Sequence, residues 1–244
     1  MDTPAAMARE GAYETVEKIL ADSPRGDLLD IPAGHGPLAL QLKQLGFEVS
    51  ACDLYPEIFS VDDIEIKGGD LDARLPYDDA SFDYVVCIEG LEHIENPSNA
   101  IREFARVLRS DGKLVVSVPN IMNIEERLKW LFAGYTSHFK PLSSETRAMI
   151  AKEYGGIEEV ALHVNPIGYS EVRYLLEIGG FRLDGVHIDK NKKNTWLFLP
   201  IAALIRLTAK FSSAAKRRER WTDALNSDEV LLGGNTLIFE ATKL

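Results

Sequence analysis

The feature that most constrains this chain is its alternation of short apolar runs with segments of helical spacing. Runs of β character fall at 27–31, 47–52, 64–67, 82–88, 113–118, 181–188 and 236–241. Helical patterns fall at 3–20, 36–45, 98–108, 123–132 and 170–178. In the third of these, Ile101, Phe104, Ala105 and Leu108 recur at helical spacing and Gly112 follows as a stop signal. Strand and helix in turn are the pattern of a parallel sheet covered on both faces, because parallel neighbours need a crossover between them. The expected fold is a single α/β domain, 1–244, built on one doubly wound seven-stranded sheet. A segment of basic helical character, not a short crossover, joins the last two strands, so the final strand is expected to be antiparallel.

Two connections exceed the usual length, 119–166 after the fifth strand and 189–235 between the sixth and seventh. Long insertions at strand ends usually carry binding function, which makes 119–166 the candidate substrate cap. Apolar residues make up 45% of the 244 and charged residues 27%, a globular composition. A formal charge of −11 disfavours a protein that works by neutralising phosphates, and no nucleic-acid partner is expected. Cys52 and Cys87 sit in apolar runs and read as core thiols. The opening Met1-Asp2-Thr3-Pro4 shows no basic segment followed by an apolar one, so no secretory signal is read and a cytoplasmic setting is expected.

The first strand, ending Asp30-Ile31, runs into Pro32-Ala33-Gly34-His35-Gly36 and then into a helix. Glycines at such a turn let backbone approach a ligand, and the helix start supplies unpaired N–H groups. A nucleotide-like ligand is implied. Asp53 ends the second strand, placed to accept from the hydroxyls of a ribose. The loop also satisfies G-x-G-x-x-A, so alone it does not separate a dinucleotide from other nucleosides. Asp30 separates them, since a carboxylate there would repel a pyrophosphate but suits an ammonium, directly or through water. Singly, each residue could serve only a tight turn or a cap; the ordered set is what carries the reading.

Leu29-Asp30-Ile31-Pro32-Ala33-Gly34-His35-Gly36 resembles the first motif of class I S-adenosylmethionine-dependent methyltransferases. Pro32 departs from the glycine common there. Asp53, with Leu54 after it, is similar to the family's ribose-binding acid, and Gly69-Asp70-Leu71 to the segment that closes over adenine. The stretch 75–86 resembles the entry into strand four, Glu89-Gly90-Leu91-Glu92-His93-Ile94 the loop after it, and 107–114 the turn into strand five. The resemblance implies a Rossmann-like fold, S-adenosylmethionine as cofactor, and Asp30, Pro32, Ala33, Gly34, Gly36, Asp53, Leu54, Asp70, Leu71 and Glu89 as its binding residues.

Methyl transfer from a sulfonium is an in-line displacement, so positioning and water exclusion can supply much of the catalysis. No nucleophilic triad, P-loop or paired-cysteine motif is present in the sequence. A hydroxyl acceptor would want a general base; His93 is the first candidate, by resemblance, and His163 the second. Local positioning of the loop is the plain alternative for His93. Glu89, Glu92 and His93 form an E-x-x-E-H pattern that also resembles the divalent-metal site of some small-RNA and quinone-precursor O-methyltransferases, but no metal is expected. Trp130, Phe132, Tyr135, His138, Phe139 and Lys140 are candidates to line an acceptor pocket or to form the core of a lid.

Between Arg206 and Arg220 stand six basic residues and one acidic one, a net of +5 in a chain of −11. A helix over 200–220 would put Arg206, Lys210, Arg217 and Arg220 on one face, with Ile201, Leu204, Ile205 and Phe211 largely on the other. Such a helix suits an anionic membrane surface, an acidic sheet edge or a homodimer. Enzymes with an insertion here resemble modifiers of glycans or lipid-linked intermediates. The expected function is O-methylation of a small-molecule or glycan/lipid-linked acceptor, peripheral to the membrane if the helix binds it. The alternatives are an NAD(P)-dependent oxidoreductase and a catalytically silent binding module.

Overall fold

A computed structural model of the chain describes residues 11–153 and 162–244. Its strands are β1 (Asp27–Asp30), β2 (Glu48–Asp53), β3 (Glu65–Gly68), β4 (Phe82–Cys87), β5 (Leu108–Pro119), β6 (Phe181–Ile188) and β7 (Thr236–Lys243). They form one sheet in the order β3-β2-β1-β4-β5-β7-β6, and only β7 runs antiparallel to its neighbours. The doubly wound sheet with an antiparallel last strand is thus the architecture the alternation implies.

Side chains of successive strand residues point to opposite faces, so the apolar runs feed two cores. Leu29, Val85, Cys87, Val116 and Phe239 pack on one face, with Ile101, Phe104 and Val107 of α3 (Pro97–Val107) and Val172 and Leu176 of α6 (Tyr169–Ile178). Leu28, Val86, Val115 and Ile238 pack on the other, with Val16 and Leu20 of α1 (Ala12–Leu20) and Leu38 and Leu42 of α2 (Pro37–Gln44). Residues of the expected 3–20 helix that precede Gly11 lie outside the described residues. α3 is fixed at its start by Asn96, whose side chain accepts from the Asn99 N–H, and by Pro97 in its first turn. It ends one residue sooner than its periodicity implies, because Leu108 is already extended and opens β5.

The first insertion carries α4 (Ile124–Ala133) and α5 (Ser144–Glu153), of which the sequence signals only α4. The second corrects the sequence reading. There is no single helix over 200–220: α7 (Leu199–Ala209) stops, and α8 (Ala214–Glu219), α9 (Thr222–Leu225) and α10 (Asp228–Leu231) follow. The break has a local cause, since the Ser213 side chain accepts from the Lys216 N–H and starts a new helix.

The expected faces of α7 change too. Ile201, Ala202 and Ile205 pack inward on Ile124, Leu128 and Leu231. Leu204 and Phe211, expected on the same face as Ile201 and Ile205, are instead exposed with Leu199 and Leu207. Arg206 lies half-buried, donating to the Asn226 carbonyl at 2.9 Å and pairing with Asp228 at the surface.

Candidate functional site

The carboxyl ends of β1, β2 and β4 border a cavity of about 370 Å³, within the roughly 300–1,000 Å³ of small-molecule sites. It forms where the order of crossovers reverses between β1 and β4, the place where open α/β sheets leave a crevice. Among the described residues its wall includes Pro32, Ala33, Gly34, Asp53, Leu54, Asp70, Leu71, Glu89, His93 and His163. Residues more than a hundred positions apart therefore meet at one edge of the sheet. Asp30 and Gly36 are not part of that wall, and each has a different place.

Gly36 shapes the loop. It sits at φ 91°, in the left-handed region, as the cap of α2, with Pro37 in the first turn. A Cβ there would lie 2.5 Å from the Phe59 ring and 2.6 Å from Val61. Gly36→Ala is expected to cost about 2–3 kcal/mol from the backbone and the overpacking together. A urea titration reads it as a lower midpoint at unchanged slope; an unshifted midpoint would show that the loop adapts.

Asp30 is 2% exposed and its Oδ2 has no hydrogen-bond partner among the described residues. Burial, and then the neighbouring charge of Asp53, push its carboxyl up to about 8. A carboxyl that keeps its proton in the folded state, but ionises near 4 when unfolded, loses stability as pH rises from about 4 towards 8. The amide of Asp30→Asn carries no such charge. The variant should gain on the wild type progressively from pH 5 to pH 8, reaching a few kcal/mol in denaturant titrations. A stability difference flat in pH would mean that Asp30 does not hold its proton.

Asp53 braces the loop and faces the cavity at once. Its Oδ2 accepts from the Gly34 N–H at 2.8 Å and its Oδ1 from the Tyr55 N–H at 2.9 Å. Each carboxylate oxygen has a further lone pair for a ligand hydroxyl. Asp70 Oδ1 accepts from the Asp72 N–H, and Asp72 in turn accepts from the Glu95 and Asn96 N–H groups. The loop after β3 is thereby tied to the loop after β4. Glu89 takes φ 51°, a conformation rare for a residue with a side chain, and its N–H donates to Ser117 Oγ at 2.9 Å. Gly90 beside it must stay bare, since a Cβ would lie 2.7 Å from Pro32 and 2.9 Å from Cys87 Sγ.

The histidines are brought together by the chain crossing over the β4 loop. The Glu92 carbonyl accepts from the N–H groups of Val164 and Asn165, and His93 Nδ1 lies 2.9 Å from the Leu162 carbonyl. A carbonyl only accepts, so Nδ1 carries the hydrogen and, in the neutral ring, Nε2 carries the lone pair. The His93 and His163 rings meet edge to face at 4.7 Å, and His138 stacks on His163 at 6.0 Å. Glu92 is wholly buried, and it, His93 and His163 offer ligand atoms within 4.8 Å of one another, a set that a divalent cation could share.

Tyr13, His35, Tyr55, His138 and Thr236 also line the cavity. Of these the sequence singles out only His138. Tyr13 is signalled by nothing except its place on the helix before β1, and Thr236 only by opening β7. Trp130 and Phe132, candidates for an acceptor pocket, are exposed and away from it.

A family model described as a methyltransferase domain matches residues 6–155. The ubiquinone biosynthesis O-methyltransferase of Xanthomonas oryzae pv. oryzae (strain PXO99A) is 35% identical over 125 residues, 47% of this chain and 52% of that protein. The chain spans about half the length of the curated relatives it matches. Among solved structures, a SAM-dependent methyltransferase of Thermotoga maritima superposes with a TM-score of 0.58 at 15% identity, covering 96% of this chain and 90% of that one. The [4+2]-cyclase SpnF superposes with a TM-score of 0.56 at 18% identity, covering 98% and 88%. At such identities the likeness is one of fold, and a cyclase among the neighbours illustrates that the fold alone does not fix the reaction. The matched domain, the sheet order and the strand-end motifs together make this chain a member of the class I S-adenosylmethionine-dependent methyltransferase family.

Proposed function

We propose that the cavity binds S-adenosylmethionine and that the protein transfers a methyl group to a hydroxyl of a small-molecule acceptor. One observation carries the cofactor assignment: Asp53, Asp70 and Glu89 line the cavity, and none of its described lining residues is Lys or Arg. A wall of carboxylates without cations suits a ligand bearing a sulfonium and an ammonium, and repels the pyrophosphate of a dinucleotide. When bound, the cofactor supplies a methyl group already activated on sulfur.

The chain's own groups supply the rest. Asp53 holds the ribose hydroxyls, Asp70 and Leu71 flank the adenine, and the backbone of 32–34 cradles the amino-acid end. Asp30 is buried at the end of β1 and takes no part in the cavity wall. His93 takes the acceptor's proton at Nε2 while the Leu162 carbonyl fixes its ring, and His163 holds the ring from the side. In the described part of the cap, 119–166, His138 and His163 line the cavity and help exclude water from the acceptor. A lipid-linked acceptor is the finer reading, supported by the apolar exterior of the 189–235 insertion, which is rooted at Thr236 in the cavity wall.

The Glu92–His93–His163 cluster favours a second reading, in which a divalent cation polarises the acceptor hydroxyl. Dialysis against EDTA followed by readdition of Mg²⁺ separates the two, because a general base needs no metal.

The assignment is tested by calorimetric titration of the protein with S-adenosylmethionine, S-adenosylhomocysteine and NAD in parallel. Micromolar binding of the two sulfur compounds without NAD is expected. Binding of NAD alone would overturn the proposal.

A further inference from the structure

The structure assigns a second binding surface, outside the cavity: we infer that the outer side of the 189–235 insertion seats on an anionic lipid bilayer. The inference does not depend on the reading of the cavity. α7 already has its inward face filled, since Ile201, Ala202 and Ile205 pack against α4 and α10. Its outward side is nevertheless apolar. Leu199, Leu204 and Leu207 are exposed, as are Trp196 just before the helix and Phe211 just after it, Phe211 at 87%. An amphipathic helix on a protein surface normally turns polar residues outward. Here Arg206 pairs with Asp228 at the surface, and leucines are left outside beside it.

Charge decides what covers this surface. Arg206 and Arg217 are taken up by Asp228 and Asp223. Lys210, Lys216, Arg218 and Arg220 are exposed and have no ion-pair partner among the described residues. Exposed leucines and aromatics beside unpaired cations, in a chain of net charge −11, match a membrane surface of anionic headgroups over hydrocarbon. A second copy of the chain fits less well, because a two-fold contact sets the same patch against itself and brings cation against cation. No helix among the described residues is long and apolar enough to cross a bilayer, so the contact lies in the plane of the interface. The insertion leaves the sheet after Ile188 and returns at Thr236, so the seated surface is tethered at the cavity's edge.

The test is co-sedimentation of the full chain with vesicles of phosphatidylcholine alone and of phosphatidylcholine mixed with phosphatidylglycerol. Binding to the mixed vesicles only, weakened by salt, is expected. Lys210→Gln and Arg218→Gln should each lower the partition about fivefold. The double variant Leu207→Glu, Phe211→Glu should abolish it, with circular dichroism and cofactor affinity unchanged, since both side chains are on the surface. Equal binding to neutral vesicles, no binding to either, or binding indifferent to these substitutions would overturn the inference. Sedimentation velocity adds one more overturning result: a dimer that the double glutamate variant splits would make this face a contact between copies.

Discussion

His93→Asn is expected to lower kcat by roughly 10²–10⁴-fold, the contribution of a positioned acid–base group, while S-adenosylmethionine affinity stays within about threefold. An asparagine amide can still donate to the Leu162 carbonyl in place of Nδ1, so the crossing of 162–165 over the β4 loop is preserved. What disappears is the lone pair of Nε2. Steady-state rates with a hydroxylated acceptor, beside a cofactor titration, check both halves. A loss of less than about tenfold would leave His93 as a residue that merely positions the loop. A loss of cofactor affinity as large as the loss of rate would show that the substitution had disturbed the wall and not the chemistry.

Asp53→Ala should have an effect of similar size on binding. It removes the acceptor for the Gly34 and Tyr55 N–H groups and, with it, the partner proposed for the ribose. Hydrogen bonds to a charged group contribute about 1.5–3 kcal/mol each, so cofactor affinity is expected to fall at least a hundredfold. Stability should drop by about 2–4 kcal/mol, because two backbone donors near the cavity lose their partner. Asp53→Asn keeps one acceptor oxygen and should fall between. If Asp53→Ala bound the cofactor as the wild type does, the carboxylate would be a brace for the loop and nothing more.

The fold was largely legible in the sequence because a sheet covered on both faces makes each strand an apolar run, and the helices between them follow the 3.6-residue period. Strand-end motifs were legible for the same topological reason, since the crevice of such a sheet opens at the carboxyl ends of its strands. What the sequence hides is contact between distant segments. Nothing near His163 shows that the Glu92 carbonyl will clamp Val164 and Asn165 and so set two imidazoles edge to face. Nothing near Asp30 shows that it will lie buried and outside the cavity wall. Periodicity groups Ile201, Leu204, Ile205 and Phe211 on one face, but Ile201 and Ile205 pack on α4 and α10 while Leu204 and Phe211 stay outside, a division set by packing against residues distant in sequence. The capping serine that splits the basic segment is a single residue, too small a signal against an otherwise continuous helical pattern.

The most direct test of the central claim is a crystal structure of the protein grown with S-adenosylhomocysteine. Ribose hydroxyls are expected on Asp53, adenine beside Asp70 and Leu71, and the sulfur turned towards His93 and His163. Sulfur directed away from both histidines, or the ligand outside this cavity, would contradict it.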